Sequence, residues 1–230
     1  MEIMEIKSVP KSVVEYLRDQ ILVGQLDPGQ KLSENDLASQ LDISRPPLRE
    51  AFRILENEWL VVSLPRKGTY VSDVSIEDLR DVYQAREMIE CYAIDILKLK
   101  NITELPEVEL AAEAASRLST PSSDDPEAML RYGRAFADFH IRLVESAGNA
   151  RLLKFYKGLS SNLTRYKIMY LFIGGSGSRS IGEHRQILDL IKRRAYGEVK
   201  KLMREHFKVS FEFLKKKIFQ SKVGEEPSVM

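Results

Sequence analysis

Two consecutive prolines, Pro46 and Pro47, lie between two stretches of helical spacing, and they restrict the fold more than any other feature of the chain. Proline has no amide hydrogen and clashes with the carbonyl four residues back, so a proline pair fits a helix only in its first turn. A helix must therefore begin here, and any helix before it must already have ended. Leu48, Ala51, Phe52 and Leu55, at i, i+3, i+4 and i+7, give the new helix a buried side. Arg45, Arg49 and Arg53, at i, i+4 and i+8, fall on its outward side. Ser44 is placed to accept the free amides of the first turn, and the start can shift as far as Pro46, because each proline disfavours helical backbone in the residue before it.

The segments on either side complete a pattern. Val13, Val14, Leu17, Ile21 and Leu22 predict a helix from Val9 toward Gly24, followed by a turn at Leu26–Gly29 and an extended Gln30–Leu32. Ser33 with Asp36 reads as a capped start of a short helix that buries Leu37, Ala38 and Leu41, and Asp42–Ile43 makes the turn into the arginine-bearing helix. After it, Leu60–Leu64 and Thr69–Val71 read as two strands joined by Pro65, Arg66, Lys67 and Gly68, a hairpin with a basic tip. An arginine stripe on an isolated helix is usually a solvated face. A short helix, a tight turn, a second helix with cations at its N-terminal end and a basic wing together predict a winged helix-turn-helix placed in a DNA major groove. Charge makes this reading a local one. The chain holds 35 lysines and arginines against 34 acidic residues, and residues 1–72 carry nine basic and eleven acidic side chains, so binding must rest on focused contacts rather than on a general field.

From Asp73–Ser75 onward the pattern is helical throughout. Helices are expected at Ile76 to about Lys100, Pro106–Leu118, Asp125–Ala147, 150–172, 180–194 and about 197–217, with a loop at Ser119–Asp124, a glycine-rich connector at Gly174–Ser178 and a frayed tail from Gln220. The fold class is thus mainly α: a winged helix-turn-helix with a small β-hairpin over residues 1–73, then an all-α bundle over 74–230. Its three histidines, His140, His184 and His206, each share an apolar face at helical spacing. A lone inward histidine is commonly an ordinary core residue, whereas three on separate helices also suit a divalent metal, since neutral imidazoles ligate zinc, nickel or iron. Arg86 falls on the same apolar face as Tyr83 and Val82, where a guanidinium needs an anion: Glu90 one turn on, or an acidic ligand. Asn162, Arg165 and Tyr166 are candidates for the same cavity, with the phase of their helix undecided.

Some function classes are excluded. Cys91 is the only cysteine, so there is no internal disulfide framework. No apolar run approaches the ~20 residues of a membrane span, and MEIMEIKSVP is acidic where a secretory leader is basic, which makes the cytoplasm the expected compartment. A metal-dependent hydrolase built on the three histidines is the alternative reading. It lacks an HExxH-type motif and leaves the N-terminal half unexplained.

Gly24–Glu34, Leu37–Ala38 and Ile43–Ala51 resemble the motif of GntR-family bacterial transcription regulators. That resemblance implies DNA contacts from Asn35, Ser44, Arg45 and Arg49, with Gly68 at the wing tip; Arg53, Arg66 and Lys67 join them as basic neighbours. Two positions depart from the family pattern. Asp42 replaces a glycine that ends the second helix, a change a left-handed turn tolerates, and Trp59 replaces the glycine after the third, which predicts a differently built helix end there. Phe139–His140, Gly148–Asn149, Glu183–His184 and His206 resemble the FCD domain of the FadR-type subgroup. The resemblance implies a divalent metal, zinc or nickel, on His140, His184 and His206, a small carboxylate effector beside it near Tyr83, Arg86, Asn162 and Arg165, and a homodimer on double-stranded operator DNA. Where the family carries a metal-binding carboxylate this chain has Phe136, and Asp138 lies about 200° around the helix from His140 and cannot replace it.

Overall fold

The computed structural model describes residues 9–172, 174 and 177–223, and the chain divides between Asp73 and Val74 into two compact units. In the first, α1 (Val9–Leu22), α2 (Glu34–Gln40) and α3 (Arg45–Asn57) pack with an antiparallel sheet of β1 (Lys31–Leu32), β2 (Val61–Leu64) and β3 (Gly68–Val71), ordered β1-β3-β2. Leu17, Leu48, Ala51, Leu55 and Leu60 are fully buried, and each leucine so buried contributes roughly 1.5–3 kcal/mol. The Ser33 hydroxyl accepts the Asp36 amide at 3.3 Å, as a capped start requires. Ser44 occupies the N-cap of α3 but its side chain makes no cap bond, and helical backbone begins at Arg45. The prolines remove the donors that a capping oxygen would serve, which leaves the hydroxyl facing outward.

The C-terminal end of α3 corrects one expectation. Trp59 does adopt the left-handed conformation, at φ 60, and the end is built in the ordinary way: Trp59 donates to Glu56 and Leu60 to Leu55, each at 3.0 Å. Burial of Leu55 and Leu60 against each other's turn offsets the roughly 1 kcal/mol of strain, while the indole stays 70% exposed and clear of the turn. Asp42, at φ 50, ends α2 by the same geometry. At the wing tip Lys67 donates to Leu64 at 3.0 Å across Pro65 and Arg66, and Arg66 takes φ 63, the sign a type II turn needs at its third residue.

The second unit holds α4 (Ile76–Leu99), α5 (Pro106–Ser116), α6 (Pro126–Ser146), α7 (Ala150–Phe172), α8 (Gly177–Lys192) and α9 (Tyr196–Val223), with no strand among the described residues. Ser75 and Asp125 cap α4 and α6 through the amides of Asp78 and Ala128 at 3.0 and 2.9 Å. Two bounds differ from expectation. Helix α8 begins three residues earlier, inside the glycine-rich connector, and α9 continues helically through Gln220 to Val223; the tail after 223 and the first eight residues lie outside the described part. No helix among the described residues is long and apolar enough to cross a membrane. Helices α6 and α7 approach closely at Gly133, where a Cβ would collide with Ile168. Residues Ser161 to Ile168 of α7 are buried without a break, so that part of the helix has no solvent face.

Candidate functional site

Asn35, Ser44, Arg45, Arg49 and Arg53 are exposed on α2, the turn and α3, and Arg66, Lys67 and Gly68 are exposed at the wing. Arg49 Nε donates to Glu34 at 2.8 Å, and Arg53 meets Glu50 at 3.4 Å. Both arginines keep most of their side-chain surface in water, 64% and 74%, so these pairs orient them weakly and yield readily to a phosphate. Arg45, in the first turn of α3, is exposed at the N-terminal end of the helix dipole, which favours anions.

In the second unit His140 of α6, His184 of α8 and His206 of α9 are all buried, and each offers one ring nitrogen to a cluster whose members lie within 4.8 Å of one another. Carboxylates hold two of the rings from behind. Glu90, fully buried on α4, accepts from His140 Nδ1 at 2.7 Å, from Arg86 Nε at 2.8 Å and from the Tyr156 hydroxyl at 2.7 Å. Glu183 accepts from His206 Nδ1 at 2.6 Å and from Arg179 at 2.7 Å. With Nδ1 donating, the Nε2 lone pairs of His140 and His206 are left free to accept. His184, stacked on Phe139 at 3.8 Å, brings its Nε2 to 3.2 Å from His140 Nε2.

Burial lowers the pKa of all three imidazoles, that of His206 to about 4, so they are neutral at pH 7. Burial pushes Glu183 up, but the hydrogen bonds from His206 and Arg179 outweigh it and carry the carboxyl below its usual range. His206 Nε2 and His184 Nδ1 are buried with no hydrogen-bond partner. Neutral imidazoles, carboxylate-fixed tautomers and an orphaned inward lone pair are the donor set a divalent ion requires, and the residues fit one.

A small cavity opens beside the cluster, lined by Arg86, His140, Tyr156, Ser160, Leu163 and Lys167 among others. Lys167 is buried, 3.3 Å from the Ser180 hydroxyl and 5.4 Å from the ring centres of Phe136 and Tyr170. Burial, with the Arg86 charge nearby, brings its pKa down to about 7. Of the residues expected here, only Arg86 lines this cavity. Tyr83 lines a separate open groove of about 410 Å³ with Arg204, Phe207 and Phe211, and Asn162 and Arg165 are buried on other sides of α7.

The model of the FCD domain matches residues 81–209, more than half of the chain, and that of bacterial regulatory proteins of the gntR family matches residues 10–71. The chain belongs to the GntR family and carries an FCD domain. It is 25% identical over 200 residues to the HTH-type transcriptional regulator YdhC of Bacillus subtilis, covering 86% of this chain and 88% of that protein. It is 28% identical over 157 residues to the HTH-type transcriptional repressor GlaR of Escherichia coli, covering 68% and 71%. A GntR transcriptional regulator of Rhodococcus sp. RHA1 shares the fold, with a TM-score of 0.69 at 23% identity over 90% of this chain and 97% of that one.

As a GntR transcription regulator the protein is not an enzyme, and the hydrolase reading falls. Within its FCD domain Phe136 is fully buried, and Asp138 turns away to meet Arg142 at 3.3 Å near the surface. Three members of the site escaped the sequence reading. Glu183 stands next to His184 in the chain yet serves His206 on another helix, Tyr156 joins Glu90 across 66 positions, and Lys167 lies in the stretch of α7 without a polar side. Only the Glu183–His184 pair left a trace in the sequence.

Proposed function

We propose that this GntR regulator is a cytoplasmic homodimer that binds a pseudo-palindromic operator through its winged helices and senses a small organic acid in its FCD domain. The observation that carries the reading is the set of three buried, neutral histidines, two with Nδ1 donated to a carboxylate, beside a cavity walled by Arg86. His140, His184 and His206 would hold a divalent ion, zinc or nickel, and when bound it supplies positive charge and Lewis acidity to an acidic ligand. Glu90 keeps His140 in one tautomer and also anchors Arg86, so the guanidinium and the imidazole are positioned by the same carboxylate. An effector carboxylate meeting Arg86 therefore acts on the group that orients His140, which couples acid binding to the cluster reciprocally. In the first unit Asn35, Ser44, Arg45, Arg49 and Arg53 are the residues for bases and phosphates of the major groove, and Arg66, Lys67 and Gly68 are those for the adjacent backbone. Repression is the mode of action we favour, as GlaR is named a repressor.

The test is elemental analysis of untagged protein, followed by calorimetry with zinc and nickel before and after chelation. About one ion per chain, lost when His206 is replaced by Gln, is the expected result. Absence of metal in purified protein together with no heat of binding for either ion would return the histidines to the core.

A further inference from the structure

The groove between α4 and α9 shares no lining residue with the cavity beside the histidines, and its volume of about 410 Å³ has room for a small molecule. Two helix faces of matching spacing build it. On α4, Arg80, Tyr83 and Glu87 stand at i, i+3 and i+7; on α9, Arg204, Phe207, Lys208 and Phe211 stand at i, i+3, i+4 and i+7. Arg204 Nε donates to Glu87 at 2.8 Å, and one turn along the rings of Tyr83 and Phe211 lie 5.9 Å apart, so the helices run antiparallel with these faces meeting. Tyr83 and Phe207 are buried and Phe211 is half-buried, which gives the groove an aromatic floor. Charge around that floor is uneven. Glu87 neutralises Arg204, whereas Arg80 and Lys208, both exposed, have no carboxylate in ion-pair range among the described residues. Three cations against one carboxylate leave two positive charges uncompensated on an apolar groove.

We infer that this groove is a ligand site independent of the histidine cluster and that it takes an aromatic phosphate monoester, the ring lying on Tyr83, Phe207 and Phe211 and the phosphate meeting Arg80 and Lys208. Charge selects the head. A carboxylate brings a single negative charge and leaves one of the two free cations unmatched, whereas a phosphate monoester carries nearly two at pH 7 and offers three strong acceptor oxygens. The floor selects the body, because a flat aromatic group buries a large area at little cost in conformational freedom and packs offset or edge-on against neighbouring rings. Inorganic phosphate would leave that floor in water, and a neutral aromatic would leave the cations without an anion.

The experiment is calorimetric titration of the full-length protein with 2-naphthyl phosphate, 2-naphthol and inorganic phosphate at fixed salt, in excess EDTA so that no ion on the histidines attracts the phosphate. Native protein is expected to bind naphthyl phosphate at least about tenfold tighter than either of the other two. Arg80→Gln combined with Lys208→Gln should weaken naphthyl phosphate about tenfold and naphthol by less than about twofold. Both positions are exposed and hold no ion pair, so the double variant should melt as the native chain does. Lys201→Gln removes an exposed cation of α9 that does not line the groove, and should leave all three affinities unchanged. Naphthol or inorganic phosphate binding as tightly as naphthyl phosphate overturns the inference, as does the absence of binding. So does a preference that survives the double variant, or an equal loss in Lys201→Gln, which would trace the attraction to the general field of α9. Affinity that falls as protein concentration rises would show a second copy in the groove, and would overturn it too.

Discussion

Among the described residues no carboxylate pairs with Arg45 in the first turn of α3, whereas Arg49 shares Glu34 and Arg53 shares Glu50. Arg45→Ala therefore removes a proposed DNA contact without disturbing an ion pair, and specific operator affinity should drop by about 1–3 kcal/mol with the thermal melt unchanged. Fluorescence-free gel shifts at fixed salt measure it, and an unaltered affinity would reassign the reading face. Lys67→Ala at the wing should act evenly across sequences and reduce the salt slope by about one. Lys167 makes a prediction of the opposite kind, because its folded pKa of about 7 lies below the 10.5 of an ordinary lysine. Between those values the unfolded chain holds a proton that the folded chain has released, so stability rises with pH across that window. The advantage of Lys167→Met over the native protein should accordingly be largest at pH 6 and shrink by pH 9 in thermal melts without added acid. A gap that widens with pH would show that the ammonium is stabilised where it lies.

Elements, more than single residues, were legible in the sequence, and the reasons are local. Pro46–Pro47 set the start of α3, Ser33, Ser75 and Asp125 cap three other helices, and the inward aim of each histidine follows from its spacing to neighbouring apolar residues. Helix α7 was opaque for the converse reason: burial on every side from Ser161 to Ile168 erases the polar-apolar alternation that assigns a face, so nothing separates Lys167 from Asn162 or Arg165. Trp59 misled because local propensity asks for glycine, while the helix end is decided by how well Leu55 and Leu60 bury. The contact of α6 with α7 gives a further prediction. Gly133→Ala gains about 1 kcal/mol of helix propensity but drives a methyl into Ile168, a β-branched side chain with few rotamers, and overpacking costs about 1–3 kcal/mol. Urea unfolding should show a net loss of up to about 2 kcal/mol, and a gain would mean that Ile168 swings aside.

At the scale of the whole molecule, the proposed homodimer needs a face for its second copy. Met88, Tyr92 and Leu99, four and seven residues apart, expose 67%, 55% and 85% of their surface along one face of α4. For the homodimer proposed above, this stripe is the surface we assign to the second copy. Met88→Glu combined with Leu99→Glu should convert a dimer to a monomer in sedimentation at micromolar concentration and weaken operator binding well beyond the loss of either arginine contact. A double variant that still sediments as a dimer would move the interface elsewhere.

Trp59 is the only tryptophan in the chain, and it stands largely in solvent at the end of the reading helix, in the unit that holds neither Arg86 nor the histidines. Nature has thereby installed a single intrinsic optical reporter on the DNA-binding half. Excitation at the red edge of the protein's absorbance addresses this indole alone, so a saturable change in its emission on adding the proposed effector, beyond the quenching that free tryptophan shows, would be a signal carried from one unit to the other, readable on native protein without a label.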